Sequence, residues 1–309
     1  MKSPVGELCY DMNCPFPIAI QNPAPRGVGF SNMMHVGCKD CGACRHNKRT
    51  EWSFRISQEA KHSDTVYFLT LTYHDSVLPY TDLWLPTLET NEITKFLKRL
   101  RKEQDLLGGK PFRYFLVGEY GSRFQRPHYH LILFNLLPKL SDPGYLTTEW
   151  NHGIVHRLIL DNGLTHYATK YHVTSQKSYR HLSDNDDRLD EFTRSSRMPP
   201  PGEQYGGIGY QYIHTHGDWH RQTKNTYVIN NGFKQKMPKY YYDIIFNEFS
   251  EIEKAELRER AFERFQKAEN DEHLRLLSQG FEWPEYELLQ RNYYAAKNVI
   301  NKAKKKGLF

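Results

Sequence analysis

No stretch of about 18 consecutive apolar residues occurs in this chain. A membrane-spanning helix is therefore not expected, and channel or transporter functions fall away. The opening residues MKSPVGELCYDMNC also lack the apolar core of a signal peptide, which points to a reducing, intracellular setting. Cysteine is scarce and confined: there are five, all within the first 44 of 309 residues. An odd number in a reducing compartment argues against a disulfide scaffold. No G-x-x-x-x-G-K-[ST] loop is present, so a phosphate-cradling motor of the P-loop kind is excluded. No internal repeat is visible.

What remains is a basic, aromatic-rich chain. The formal net charge is +6, and aromatics make up 14% of the residues, with 21 Tyr and 17 Phe. The charge suits a polyanionic partner, and the aromatics suit stacking on unpaired bases, although most will be ordinary core residues. Residues 1–62 read as a Pro-rich loop, a cysteine knuckle and a helix near His46 to His62. Residues 63–180 carry the strongest periodicity. Val66 to Tyr73, Phe112 to Tyr120, His128 to Asn135 and Gly153 to Leu160 read as strands. Thr90 to Glu103 reads as an amphipathic helix with Ile93, Phe96, Leu97 and Leu100 on its apolar stripe. Residues 181–239 read as a polar irregular loop followed by short strands around an Asn231-Gly232 turn. Residues 240–309 read as mostly helical. Strands and helices alternate, yet a short turn joins the two central strands. That combination predicts an α+β fold, an antiparallel sheet with helices packed on it.

Two segments carry chemistry. In RPHYHLILF, His128 and His130 stand at i and i+2 of a strand, so both imidazoles face the same side and can grip one divalent cation. Two imidazoles leave a hard ion underbound. Glu119, at the end of the preceding strand and folded back by a short turn, is the best third ligand; its plain alternative is an ion pair with Arg123 or Arg126. The second segment is Tyr167-Ala-Thr-Lys170-Tyr171 on a helix expected over Thr165 to about Ser175, where i and i+4 share a face. A phenol with a pKa of about 10 is a weak nucleophile at neutral pH. A metal polarising a phosphate, with Lys170 nearby, would offset that weakness.

In order along the chain, CGACRHNKRTEWSFRISQE, FLTLTY, FLKRLRK, GEYGSRFQRPHYHLILFN, WNHGIV and YATKY resemble the gokushovirus-type replication-initiation proteins of microviruses, within the HUH endonuclease superfamily. The likeness runs from about Cys38 to Tyr171 and is weaker beyond, at SRMPPPGEQYGGIGY and MPKYYYD. It implies a ferredoxin-like or RRM-like sheet. It also implies tyrosine attack on a phosphodiester, giving a 5′-phosphotyrosine and a free 3′-OH, with Mg²⁺ or Mn²⁺ as cofactor. The implied role is rolling-circle replication: nicking the origin of replicative-form DNA, handling its single strand, and rejoining the unit-length circle in the host cytoplasm, with a host helicase and polymerase as partners. A plasmid-type initiator or single-strand transposase would share the chemistry. A non-catalytic zinc-containing nucleic-acid-binding protein is the reading from a different class.

Outside that core, Cys38-Lys-Asp-Cys41-Gly-Ala-Cys44 has the spacing of thiolates that converge on a soft metal, Zn²⁺ being the simplest. Cys9, Cys14, His35 and His46 are candidates for the fourth ligand. The Cys-Pro completion of a ferredoxin motif is absent. Arg123 and Arg126, beside the histidines, are placed to touch DNA. Lys98 and Arg99 in the basic face of the 90–103 helix, and Arg45, Lys48, Arg49 and Arg55, are weaker candidates for phosphate contacts.

Overall fold

Apolar residues recur with a period of two along four segments of the middle of the chain, and those segments pair. In the computed structural model, which describes residues 14, 18–21, 33–39, 41–121, 123–159, 187–230 and 232–278, the chain divides into two compact units: Met1–Glu51 with Ile213–Leu308, and Trp52–Tyr212.

In the first unit, β1 (Ile18–Gln21) and β2 (Met33–Val36) form an antiparallel ribbon ahead of helix α1 (Gly42–Lys61), whose later residues belong to the second unit. The second unit holds β3 (Val66–Leu71), α2 (Thr90–Leu106), β4 (Arg113–Tyr120), β5 (Pro127–Phe134), α3 (Pro143–Trp150), β6 (Val155–Ile159) and β7 (Phe192–Ser195). Its five strands form one sheet in the order β6-β3-β5-β4-β7, antiparallel at every pairing. The first four follow the split βαβ logic of ferredoxin-like folds: α2 carries the chain from β3 over to β4, leaving the slot that β5 fills by a hairpin. The fold is α+β, as the alternation and the short central turn predict.

Strand alternation sends side chains to two cores. Tyr67, Leu69 and Leu71 of β3 and Tyr129, Leu131 and Leu133 of β5 pack with Ile93, Phe96, Leu97 and Leu100 of α2 and Leu146 and Trp150 of α3. Phe68, Phe115, Ile132 and Phe134 face the other way and pack with Ile56 of α1 and Ile208. Each such side chain contributes on the order of 1.5–3 kcal/mol when buried. α2 starts where the Glu89 carboxylate accepts the Asn91 amide, and the chain leaves it through Gly108 at φ 69°, so the glycines mark its end as expected.

Two expectations change. The loop expected over 180–209 contains β7, which pairs with the free edge of β4. Four residues with a single large apolar side chain carry no period of their own, and it is the unpaired backbone of β4 that makes them a strand. Within the 210–237 stretch expected as short strands, Gln211–Thr223 is a helix, α4. Its polar HTHGDWHRQT run hides a stripe: Ile213 and His220 are both buried, and the His220 ring nitrogen Nδ1 donates to the Asn225 carbonyl. The expected hairpin follows as β8 (Tyr227–Asn230) and β9 (Phe233–Lys236), with Gly232 at φ 83°. Two further helices, α5 (Lys239–Ile245) and α6 (Glu251–Ser278), agree with a helical C-terminal region.

The approach to β6 depends on one glycine. A Cβ on Gly153 would lie 2.0 Å from the Thr72 carbonyl oxygen, where Trp150 Nε1 also donates at 2.8 Å. The offending atom is backbone and cannot swing aside. Gly153→Ala is expected to destabilise the unit by about 2–3 kcal/mol, read as a lower urea midpoint at unchanged slope; an unshifted midpoint would refute the close approach.

Candidate active site

β5 reads His-Tyr-His-Leu-Ile-Leu-Phe, and its α1-facing side turns from apolar to imidazole as it nears the β4–β5 turn. Phe134 and Ile132 belong to the core there, then come His130 and His128. Register does the rest. Glu119 stands opposite His128 and Val117 opposite His130, so the carboxylate joins the imidazoles on one face. His130 stacks on Phe68, with centroids 5.5 Å apart and planes 12° apart.

Both imidazoles aim Nε2 at one oxygen: His128 Nε2 and His130 Nε2 are each 3.1 Å from Glu119 Oε1. His128 Nδ1 lies 3.1 Å from the Arg126 carbonyl, which only accepts, so Nδ1 carries a proton. In neutral His128 the lone pair therefore sits on Nε2 and faces the carboxylate. Either a proton or a metal cation must lie between them. His130 Nδ1 is 3.1 Å from the Thr70 hydroxyl, which stands directly opposite it in the β3–β5 register.

Electrostatics follow the same geometry. Burial opposes charge on Glu119, but hydrogen bonds and attraction from His128 and His130 outweigh it and hold its pKa at about 2. Burial also opposes charge on His128; the Glu119 hydrogen bond and charge, with the Arg126 carbonyl, overcome it and raise its pKa. On His130 burial wins and the pKa falls. One proton shared by the two imidazoles thus rests on His128.

The donor set fits a metal. The three ligand atoms lie within 4.8 Å of one another. Bonds of about 2.1 Å to an octahedral ion would set neighbouring ligands about 3.0 Å apart, close to the 3.1 Å separations here. Glu119 Oε2 is buried and accepts no hydrogen bond, an expensive state for a carboxylate oxygen without a cation. A metal at Nε2 must displace the His128 proton. Manganese affinity is therefore expected to fall as pH drops through the raised His128 value, by about tenfold per unit below it. Titrations between about pH 5.5 and about pH 8 check this; a flat affinity would remove His128 from the ligand set.

The structure gathers Glu119, His128 and His130. Arg126 pairs with Asp75 and donates to the Tyr73 carbonyl at 2.9 Å; no ion pair between Arg126 or Arg123 and Glu119 is seen among the described residues. Arg123 lies over the ring of Phe124, 4.9 Å from its centroid, and Phe124 is 68% exposed. Arg99 is tied to Glu149, by its carboxylate at 3.3 Å and by its backbone carbonyl. Lys98 is exposed. Both ride on α2, whose apolar stripe packs on the sheet face opposite the triad. Arg55, a candidate phosphate ligand by sequence, is instead buried, donating to the Ile208 carbonyl and stacked on Trp52. Tyr167, Lys170 and Tyr171 lie outside the described residues.

Three neighbours of the triad were not singled out from sequence. Thr70 is one; its position across from His130 needs the register. Glu191 is another. It precedes β7 on the rung after Gly118–Phe192, its Oε1 accepts the Tyr120 amide at 3.0 Å, and its charge acts on His128. Phe124 is the third, and a phenylalanine inside the turn GSRFQR was a legible signal.

Residues 66–177 match the family model for the replication-associated protein ORF2. That span contains Glu119, His128, His130 and the Tyr167 to Tyr171 segment. The chain is similar to Replication-associated protein ORF2 of Spiroplasma virus 4, 31% identical over 221 residues, covering 67% of this chain and 66% of that protein. It is also similar to Replication-associated protein VP4 of Bdellovibrio phage phiMH2K, 27% identical with 67% and 66% covered. Replication-associated protein ORF4 of Chlamydia phage 1 is 26% identical, with 67% of this chain and 53% of that protein covered. The chain thus spans a little under two thirds of the first two relatives and about half of the third.

Proposed function

The chain belongs to the replication-associated proteins of small phages, and from that premise we propose that it is a rolling-circle replication initiator. In this reading it nicks one strand of replicative-form DNA at the viral origin and later rejoins the single-stranded circle inside the host cell. The observation that carries the reading is the convergence of His128 Nε2 and His130 Nε2 on Glu119 Oε1, with Glu119 Oε2 buried and unsatisfied beside them. That donor set would hold Mg²⁺ or Mn²⁺; two imidazoles favour Mn²⁺. When bound, such an ion supplies Lewis-acid polarisation of the scissile phosphate.

The chain's own groups divide the remaining work. The Arg126 carbonyl keeps the proton of His128 on Nδ1, and Thr70 orients His130. Arg123 and the exposed Phe124, in the turn that leads into the triad strand, offer a cation and a ring to a phosphate and an unpaired base. Tyr167 or Tyr171 attacks phosphorus. A Tyr O–P bond forms as the P–O3′ bond breaks, leaving a 5′-phosphotyrosine and a free 3′-OH. Lys170 offsets the charge that builds on the phosphate. The phosphotyrosine keeps the phosphodiester's bond energy, so a 3′-OH can reverse the step without ATP. Strand separation falls to a host helicase and synthesis to a host polymerase. Among the described residues no helix is long and apolar enough to cross a membrane.

The test is incubation with the single-stranded genome that encodes the chain, with Mn²⁺ or a chelator, followed by a denaturing gel before and after protease. A protease-sensitive DNA–protein adduct formed only with metal is expected. DNA binding without metal-dependent cleavage would instead favour the non-catalytic nucleic-acid-binding reading.

A further inference from the structure

The first unit contains a ribbon too small to stand alone. β1 and β2 pair through four residues each, from Ile18–Val36 to Gln21–Met33, and all four residues of β1 are exposed. A two-stranded ribbon of that size, without a buried face on β1, is at best marginally stable in water. Something other than apolar packing must hold it, and the ends of the ribbon show what.

Cys14 precedes β1, Cys38 follows β2, and Cys41 and Cys44 lie at the start of α1. Their four Sγ atoms come within 4.8 Å of one another. A zinc ion with Zn–S bonds of about 2.3 Å places tetrahedral sulfurs about 3.8 Å apart, and Cys41 Sγ is 3.7 Å from Cys14 Sγ. The backbone is arranged for thiolates. The amide of Cys38 donates to Cys14 Sγ at 3.3 Å, that of Cys41 to Cys38 Sγ at 3.3 Å, and that of Cys44 to Cys41 Sγ at 3.4 Å. Lys39, between the first two knuckle cysteines, takes φ 67°, which turns the chain tightly. Gly37 leaves room for the last sulfur; a Cβ there would stand 2.9 Å from Cys44 Sγ.

We propose that Cys14, Cys38, Cys41 and Cys44 hold a single tetrahedral Zn²⁺ that staples the β1–β2 ribbon to the start of α1. Of the four candidates that the sequence leaves for the fourth ligand, the geometry selects Cys14. Cys9 lies outside the described residues. An iron–sulfur cluster seats its cysteines on separate iron atoms, farther apart than sulfurs sharing one ion, and the crowding here suits the single ion. The sulfurs are free thiols, and the 3.7 Å Cys14–Cys41 separation is far from a bond of about 2.05 Å. The site is independent of the Glu119 triad: it needs soft thiolate ligands where the triad offers oxygen and imidazole, and loss of one leaves the other's ligands in place.

Purified full-length protein tests this without any DNA. About one equivalent of zinc per chain is expected after exhaustive dialysis, and Co²⁺ substitution is expected to give the intense visible bands of tetrahedral thiolate coordination. Cys14→Ser is expected to lose the zinc and the hydrogen-exchange protection of residues 18–21 and 33–36, while Cys9→Ser keeps both. Mass spectrometry after alkylation covers the case in which Cys14→Ser fails to fold: in the wild-type protein, zinc should protect all four thiols and a chelator should expose them together. Equal alkylation with and without zinc, iron in place of zinc, or zinc loss as complete in Cys9→Ser as in Cys14→Ser would each overturn the assignment.

Discussion

Glu119→Gln and His130→Ala are each expected to lower metal-dependent nicking by about a thousandfold or more, equivalent to about 4 kcal/mol of transition-state stabilisation. Glu119 is the point on which both imidazoles converge, at 3.1 Å each. A neutral amide at that place keeps the shape but withdraws the charge. His130→Ala removes the more deeply buried imidazole and leaves Thr70 without its ring partner. His128→Ala is expected to be as severe and has an added readout, since it removes the group whose raised pKa sets the pH dependence of metal affinity. None of the three changes touches Arg123 or Phe124, so affinity for single-stranded DNA should stay within a few-fold of the wild type. Cleavage on denaturing gels, manganese binding and DNA binding together decide the matter. Metal-dependent cleavage that survives in both histidine variants would sink the assignment of the site.

The double variant Tyr167→Phe with Tyr171→Phe is expected to form no covalent adduct at all. Either single variant should still cleave an oligonucleotide, because the spacing of the two phenols puts both on one face of a helix, within reach of one phosphate. Circle completion is a stricter demand. It needs a second attack while the first tyrosine still holds DNA, so each single variant should cleave yet fail to release closed circles. Tyr167 is expected to act first, since it alone opens a Y-x-x-K match with Lys170. Peptide mapping of the trapped adduct separates the outcomes. DNA on a tyrosine outside residues 165–175 would overturn the nucleophile assignment, and DNA on Tyr171 alone would overturn the order.

Much of the sheet was legible in the sequence because its signals are local. VYFLTL and HYHLILF alternate between two apolar sets, and ITKFLKRL repeats at the helical period, so β3, β5 and α2 announce themselves within a few residues. The shared face of His128 and His130 follows from strand geometry alone, and the turn after Glu119 made its return to that face readable. β7 and α4 were not legible. β7 owes its strand conformation to the open edge of β4, and α4 hides its buried positions among polar residues. Both are decided by what the backbone finds to pair or pack with, not by propensity.

Residue identity and local spacing set the chemical inventory: which side chains could hold a cation, which could attack a phosphate, and which cysteines could share a soft metal. Spacing along a strand or a knuckle settles such questions because it acts over a few residues. The partners of those groups were decided in three dimensions. Glu119 Oε1 between two Nε2 atoms, Thr70 behind His130, the Arg126 carbonyl on His128, Glu191 on the next rung and Cys14 with Cys38, Cys41 and Cys44 are contacts across register or across long chain separations. In the sheet, strand register fixes them because a shift by one residue would turn each of these strand side chains to the other face.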